Sequence, residues 1–97
     1  MHVLPNEVVT RETISTLRFP HHDVLSTLSE RQQRRWQAER AVVLGNGYQG
    51  KVDIYFQTFD GSTKRIHTTV WASDPEYLSL KSGKALPLRA VLGFDFY

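Results

Sequence analysis

All six glycines of the chain, at positions 45, 47, 50, 61, 83 and 93, lie after residue 44, and all four lysines lie after residue 50. Glycine marks turns and caps and weakens helix interiors. A glycine-free first part and a glycine-punctuated second part predict a switch from helical to strand-and-turn structure. Both parts are read as one domain over 1–97, with 1–44 helical and 45–97 β. The first part is not a loose arm, because Leu17, Phe19, Leu25, Leu28 and Trp36 make it too apolar for disorder.

The chain has 97 residues, enough for one domain. It contains no cysteine, which excludes disulfides, a thiolate nucleophile and Cys-ligated metals. Its longest apolar run is Ala41-Val42-Val43-Leu44, where a membrane span needs about 20 residues. Glu7, Arg11 and Glu12 break the stretch where a secretion signal would carry its apolar segment. A cytoplasmic protein with no membrane partner is expected. Lys and Arg number 12 against 10 Asp and Glu, a net charge of +2. Each half carries an excess of one positive charge, so no basic tail or acidic block stands out.

Thr10 reads as the N-cap of a short helix that Pro20 stops. A longer helix is expected from Asp23, as N-cap, to Leu44, with Gly45 or Asn46 in the left-handed cap. Leu25, Leu28, Trp36 and Val43 form its apolar stripe, expected to face the core. Glu30–Arg34 and Arg35–Glu39 are opposite charges at i, i+4. Asn46-Gly47 is also a hairpin signal, but the helix end is preferred.

Beyond Lys51 the period is two. Val52, Ile54 and Phe56 alternate with Asp53, Tyr55 and Gln57, and Ile66 and Val70 alternate with Arg65, His67, Thr69 and Trp71. Asp60-Gly61 joins the two runs into an antiparallel hairpin spanning 51–72. Asp74-Pro75 forces a turn into a strand holding Leu78 and Leu80. Ser82-Gly83 turns the chain into Ala85–Leu88, where Pro87 marks an edge or a bend. A last strand carries Phe94 and Phe96. The fold class is α+β, with N-terminal helices followed by a five-stranded antiparallel small barrel or strongly bent sheet.

The run Leu78-Ser79-Leu80-Lys81-Ser82-Gly83-Lys84-Ala85-Leu86-Pro87-Leu88, followed by Arg89-Ala90-Val91-Leu92 and Gly93–Tyr97, resembles the back half of SH3-like and Sm-like small barrels. There a strand-turn-strand leads through a half-turn to the final strand. The resemblance covers 51–97 and is one of topology. The helix–glycine–hairpin layout is also similar to that of short bacterial proteins. Neither likeness implies a function or site residues.

His21-His22-Asp23 is no metal site by its spacing, since adjacent histidines diverge and no further ligand is suitably placed. His67 sits mid-strand, with Asp53 as a possible cross-strand neighbour on its face. No nucleophile elbow, S-x-x-K or P-loop is present. Gly45-Asn46-Gly47-Tyr48-Gln49-Gly50 matches G-x-G-x-x-G, but a helix precedes it and a strand follows, the reverse of a dinucleotide site. No enzyme, cofactor or metal is expected.

What remains is the second face of the hairpin. A helix needs a face to lie on, and this one would suit it, burying Tyr55 and Trp71 beside Trp36. Left uncovered, Tyr55, Phe59, Arg65, His67 and Trp71 have the chemistry of a protein interface. They are the binding residues of the expected function, a non-enzymatic interaction module for an unidentified protein or a second copy of itself. The alternative is nucleic-acid binding through Arg31, Arg34 and Arg35 on the helix with Lys51 and Lys64 flanking Arg65.

Overall fold

The computed structural model describes residues 7–97. The expected domain also includes residues 1–6, which lie outside the described residues. In chain order, β1 is Glu7–Val9, α1 Arg11–Ile14, α2 Leu28–Tyr48, β2 Val52–Gln57 and β3 Thr63–Thr68. Then come β4 (Val70–Ser73), β5 (Tyr77–Leu80), β6 (Ala85–Pro87) and β7 (Val91–Asp95), with 3-10 turns at Lys81–Gly83 and Leu88–Ala90.

The α+β class holds, but the β part is larger than the five strands expected and is not a closed barrel. Seven described strands form two sheets, ordered β1-β3-β2-β7 and β4-β5-β6. The helices are not N-terminal either, since β1 precedes them and runs parallel to β3 with Val9 opposite Ile66. The antiparallel hairpin forms but is shorter than the expected 51–72, since its second strand ends at Thr68; Ile54 faces Ile66, Tyr55 faces Arg65, and Asp53 faces His67, the neighbour expected for it. Its inward side chains Val52, Ile54, Phe56 and Ile66 are buried to within 1%, as is Val70 at the start of β4.

Alternation fails at Thr69. There the chain leaves the first sheet for the second, and Thr68, Thr69 and Val70 are buried in succession. A strand that changes sheets is covered on both sides at its corner, so Thr69 does not share the outer face with His67. The tight turn at Ser82-Gly83 forms with both residues at positive φ, 77° and 82°. Pro87 lies on β6, an edge strand, where its missing N–H breaks no ladder.

Helix α2 starts and ends later than its sequence suggests. Asp23 does not cap it. Thr27 does, through a reciprocal capping box: the Thr27 hydroxyl accepts from the Glu30 N–H at 3.1 Å, and the Glu30 carboxylate accepts from the Thr27 N–H at 3.3 Å. Thr27→Ala is expected to lower stability by about 1 kcal/mol, read by urea denaturation. At the other end Gly45 and Asn46 stay helical. Gln49 takes the left-handed cap, at φ 53°, and the N–H groups of Gln49 and Gly50 bond to the carbonyls of Gly45 and Leu44.

The helix also buries a different face from the one expected. Arg34, Ala38, Ala41 and Gly45 are buried, while Leu28, Trp36 and Val43 are exposed. The reason is distance. The helix packs on β4 and β7 and meets the corner at Thr69 and Val70 so closely that only small side chains fit between. Residues 15–27 cross the molecule without regular structure. They are tied by Phe59 N–H to Arg18 O and Val24 N–H to Arg89 O, both 2.9 Å, and by packing of Phe19 on Phe56.

Candidate functional site

The outer face of the hairpin is built by register. Asp53 and Tyr55 of β2 stand between Arg65 and His67 of β3 on one side and Gly93 and Asp95 of β7 on the other. Because α2 lies on β4 and β7, it does not cover this face, and the expected burial of Tyr55 and Trp71 beside Trp36 does not occur.

Asp53 is the centre. It is only 6% exposed, yet it is surrounded by donors. Its Oδ1 lies 2.8 Å from His67 Nδ1, and its Oδ2 accepts from the Tyr97 hydroxyl and lies 3.9 Å from Arg65 Nη1. Burial alone would raise its carboxyl, but the hydrogen bonds from Tyr97 and His67 and the charges of His67 and Arg65 outweigh burial and hold it below the usual carboxylate range. The same carboxylate pushes the Tyr97 hydroxyl upward, keeping it protonated. Tyr55 donates to Asp95 at 2.7 Å, and its hydroxyl is raised first by that bond. The rings of His67 and Tyr97 meet edge to face at 5.5 Å.

An ionised Asp53 accepts from His67 Nδ1–H and so leaves Nε2 outward on a half-exposed ring. The hydroxyls of Tyr55 and Tyr97 are donated to carboxylates. The arrangement holds an imidazole and two phenols in fixed positions at the surface, with the Arg65 guanidinium loosely beside them. That suits recognition by pre-oriented groups.

The five residues expected to share one face are divided among three places. Tyr55, Arg65 and His67 are together. Phe59 lies at the hairpin turn, under the Arg18 guanidinium at 4.5 Å and edge-on to His21 at 5.6 Å. Trp71 is on the second sheet, where with Gly45, Asn46, Gln49, Thr69 and Lys81 it lines a cavity of about 510 Å³. Tyr97 and Asp95 join the site unforeseen. Their signal was the alternation of the last strand, which sends Phe94 and Phe96 to one side and Asp95 and Tyr97 to the other.

Of the arginine group only Arg34 is buried, while Arg31 and Arg35 stay exposed. Arg34 is 5% exposed and grips Asp23 with both nitrogens, at 2.8 and 2.7 Å, while Nη1 also donates to Val91 O at 3.0 Å. Arg31 donates to Leu25 O at 2.9 Å and lies 3.6 Å from Asp23, and Arg35 pairs loosely with Glu39 at 3.8 Å. The expected Glu30–Arg34 pair is absent among the described residues, because each member has a better partner. Lys64 pairs with Glu7 at 2.5 Å, and Lys51 is exposed.

Among the described residues no three His, Asp or Glu side chains gather as a metal set, and no helix is long and apolar enough to cross a membrane. No family model, curated protein or solved structure matches the chain.

Proposed function

We propose that the chain is a non-enzymatic interaction module that binds a protein partner through Tyr55, Arg65, His67 and Tyr97. The observation that carries this reading is the uncovered hairpin face, on which aromatic and basic side chains are pinned around one buried carboxylate. Tyrosine and arginine dominate the energetics of protein interfaces. Groups already locked in place lose little freedom on binding. The proposed setting is the bacterial cytoplasm. Of the SH3-like and Sm-like layout, the 3-10 turn before the last strand supports the likeness, while the two sheets do not close into a barrel.

A photo-crosslinking residue placed at position 55 or 97 in the source cells is expected to capture the same protein. The same probe at Ser79, exposed on the second sheet, is expected to capture none of it. Arg65→Glu is expected to reduce the captured amount at least tenfold. Because it sets a second carboxylate beside the nearly buried Asp53, it is expected to cost about 1 kcal/mol of stability as well, and capture is compared where both proteins are fully folded. Equal capture from all three positions would refute the assignment.

A further inference from the structure

The cavity of about 510 Å³ beside Trp71 lies where α2 ends against β4. Sites for small molecules have volumes of about 300–1,000 Å³. Its floor is fixed by backbone: Gly45 lies against the carbonyl of Val70, and Thr69 beside it is buried. The Asn46 amide nitrogen donates to Trp71 O at 3.1 Å, and the Lys81 N–H donates to Thr69 O at 2.9 Å. The helix end and Lys81 are thus anchored two residues apart on one stretch of chain, roughly 7 Å along an extended backbone. The two differ in charge. Helix α2 brings the negative end of its dipole, with no basic residue in its last turn. Lys81 brings an exposed ammonium, and among the described residues no acidic side chain lines the cavity. Trp71, 47% exposed, adds an indole surface.

We propose that this cavity binds a free adenine mononucleotide, with the base on Trp71, the base edge at the Asn46 and Gln49 amides and the phosphate at Lys81. An indole beside a cation stacks a base and neutralises a phosphate. Asn and Gln amides match the adenine edge, donating to N7 and accepting from the N6 amine. Asn46 uses one N–H on Trp71 O and keeps its second N–H and its carbonyl oxygen. The helix end is rich in acceptors and negative in potential, so it favours the amine edge and repels the phosphate. Lys81 draws the phosphate to itself, and the ligand lies one way round. Inorganic phosphate would engage Lys81 alone and leave the indole and the amides idle. A single strand is held by several cations along its backbone, whereas among the described residues Lys81 is the one cation lining the cavity. One cation, one aromatic surface and one pair of amides suit one nucleotide. The site shares no residue with the Tyr55, Arg65, His67 and Tyr97 face.

Fluorescence titration tests it. The chain has two tryptophans, so Trp36→Phe leaves Trp71 as the sole reporter. AMP is expected to quench its emission saturably, with half-saturation below about 1 mM. Adenosine lacks the phosphate and IMP lacks the N6 amine, and each should need at least tenfold more. Inorganic phosphate alone should leave the emission unchanged. The decisive arm adds Lys81→Ala, whose backbone bond to Thr69 O is retained. It should weaken AMP to the level of adenosine and leave adenosine itself unchanged, with an unaltered circular dichroism spectrum. The absence of saturable quenching up to about 5 mM AMP overturns the proposal. So does a Lys81→Ala loss shared equally by AMP and adenosine, or equal binding of AMP and IMP. A hexa-adenylate that binds more tightly than AMP would assign the cavity to single strands and overturn the free nucleotide.

Discussion

Gly45→Ala is expected to destabilise the protein by about 1–3 kcal/mol or more, while Gly47→Ala, two residues further along the same helix, should stabilise it by about 0.5–1 kcal/mol. A Cβ on residue 45 would stand 2.1 Å from the carbonyl oxygen of Val70 and 3.0 Å from Thr69 Cγ2. The first of these atoms is backbone at the corner where the chain changes sheets, so no rotamer change relieves the clash. Either α2 lifts or the corner moves, and both disturb Ala38 and Ala41, which are fully buried. At Gly47 a Cβ meets nothing within 4 Å, and alanine simply removes the helix penalty of glycine. Urea denaturation followed by circular dichroism reads both. The variants share chemistry and helix, so equal effects would mean that the close approach at Val70 is wrong.

Asp23→Ala is expected to cost about 3–5 kcal/mol, because it leaves the Arg34 guanidinium buried without its counter-charge. Arg34→Met should cost less, since it removes the charge that would be stranded and leaves Asp23 partly solvated, at 18% side-chain exposure, with the Leu25 N–H at 2.8 Å. Small domains are stable by roughly 5–15 kcal/mol, so the first variant takes a large share. Burial by itself raises the Asp23 carboxyl. The Arg34 hydrogen bond, the Leu25 N–H and the charges of Arg34 and Arg31 together bring it below the ordinary value. A carboxyl lowered on folding contributes stability that is complete above its unfolded pKa of about 3.9 and is lost as pH falls through the folded value. The wild-type protein should therefore lose stability steadily below about pH 4, and Asp23→Ala should show a shallower loss there. Chemical denaturation at pH 7 and pH 3 measures the difference. An unchanged acid slope would detach Asp23 from it.

The period-two half of the chain was legible, for a simple reason. Val52, Ile54, Phe56 and Ile66 alternate because one face of the hairpin is dry, and that pattern is local. The turn at Ser82-Gly83 and the edge placement of Pro87 follow from the same local chemistry. The helix was harder to read. Large apolar residues ordinarily mark the buried side of a helix, but close packing on the Thr69 corner selects Ala38, Ala41 and Gly45 and sends Trp36 and Val43 outward. Thr27-Leu28-Ser29-Glu30 spells the capping box, yet Asp23 competes with it as a cap in the sequence because nothing local shows that its carboxylate is held by an arginine 11 residues on. Arg34 looked like its neighbours Arg31 and Arg35 until the fold buried it. Strand β1 had no local signal, since its partner on β3 is 57 residues away. Asp53 was visible as the neighbour of His67, whereas Tyr97 depends on where β7 lies beside β2.

The position of β7 also bears on how the protein is made. Strand β2 is hydrogen-bonded on both sides, and its second neighbour is β7, whose Asp95 lies opposite Asp53. Among the described residues Arg34 takes the carbonyl of Val91 as its one partner besides Asp23. During synthesis, at about 5–20 residues per second, the helix and hairpin emerge seconds before either is available. Until Asp95 has cleared the ribosome, one edge of β2 is open and one bond of the buried arginine is missing. The hairpin and α2 can form early, and α2 can meet β4, but its seat is complete only when β7 arrives.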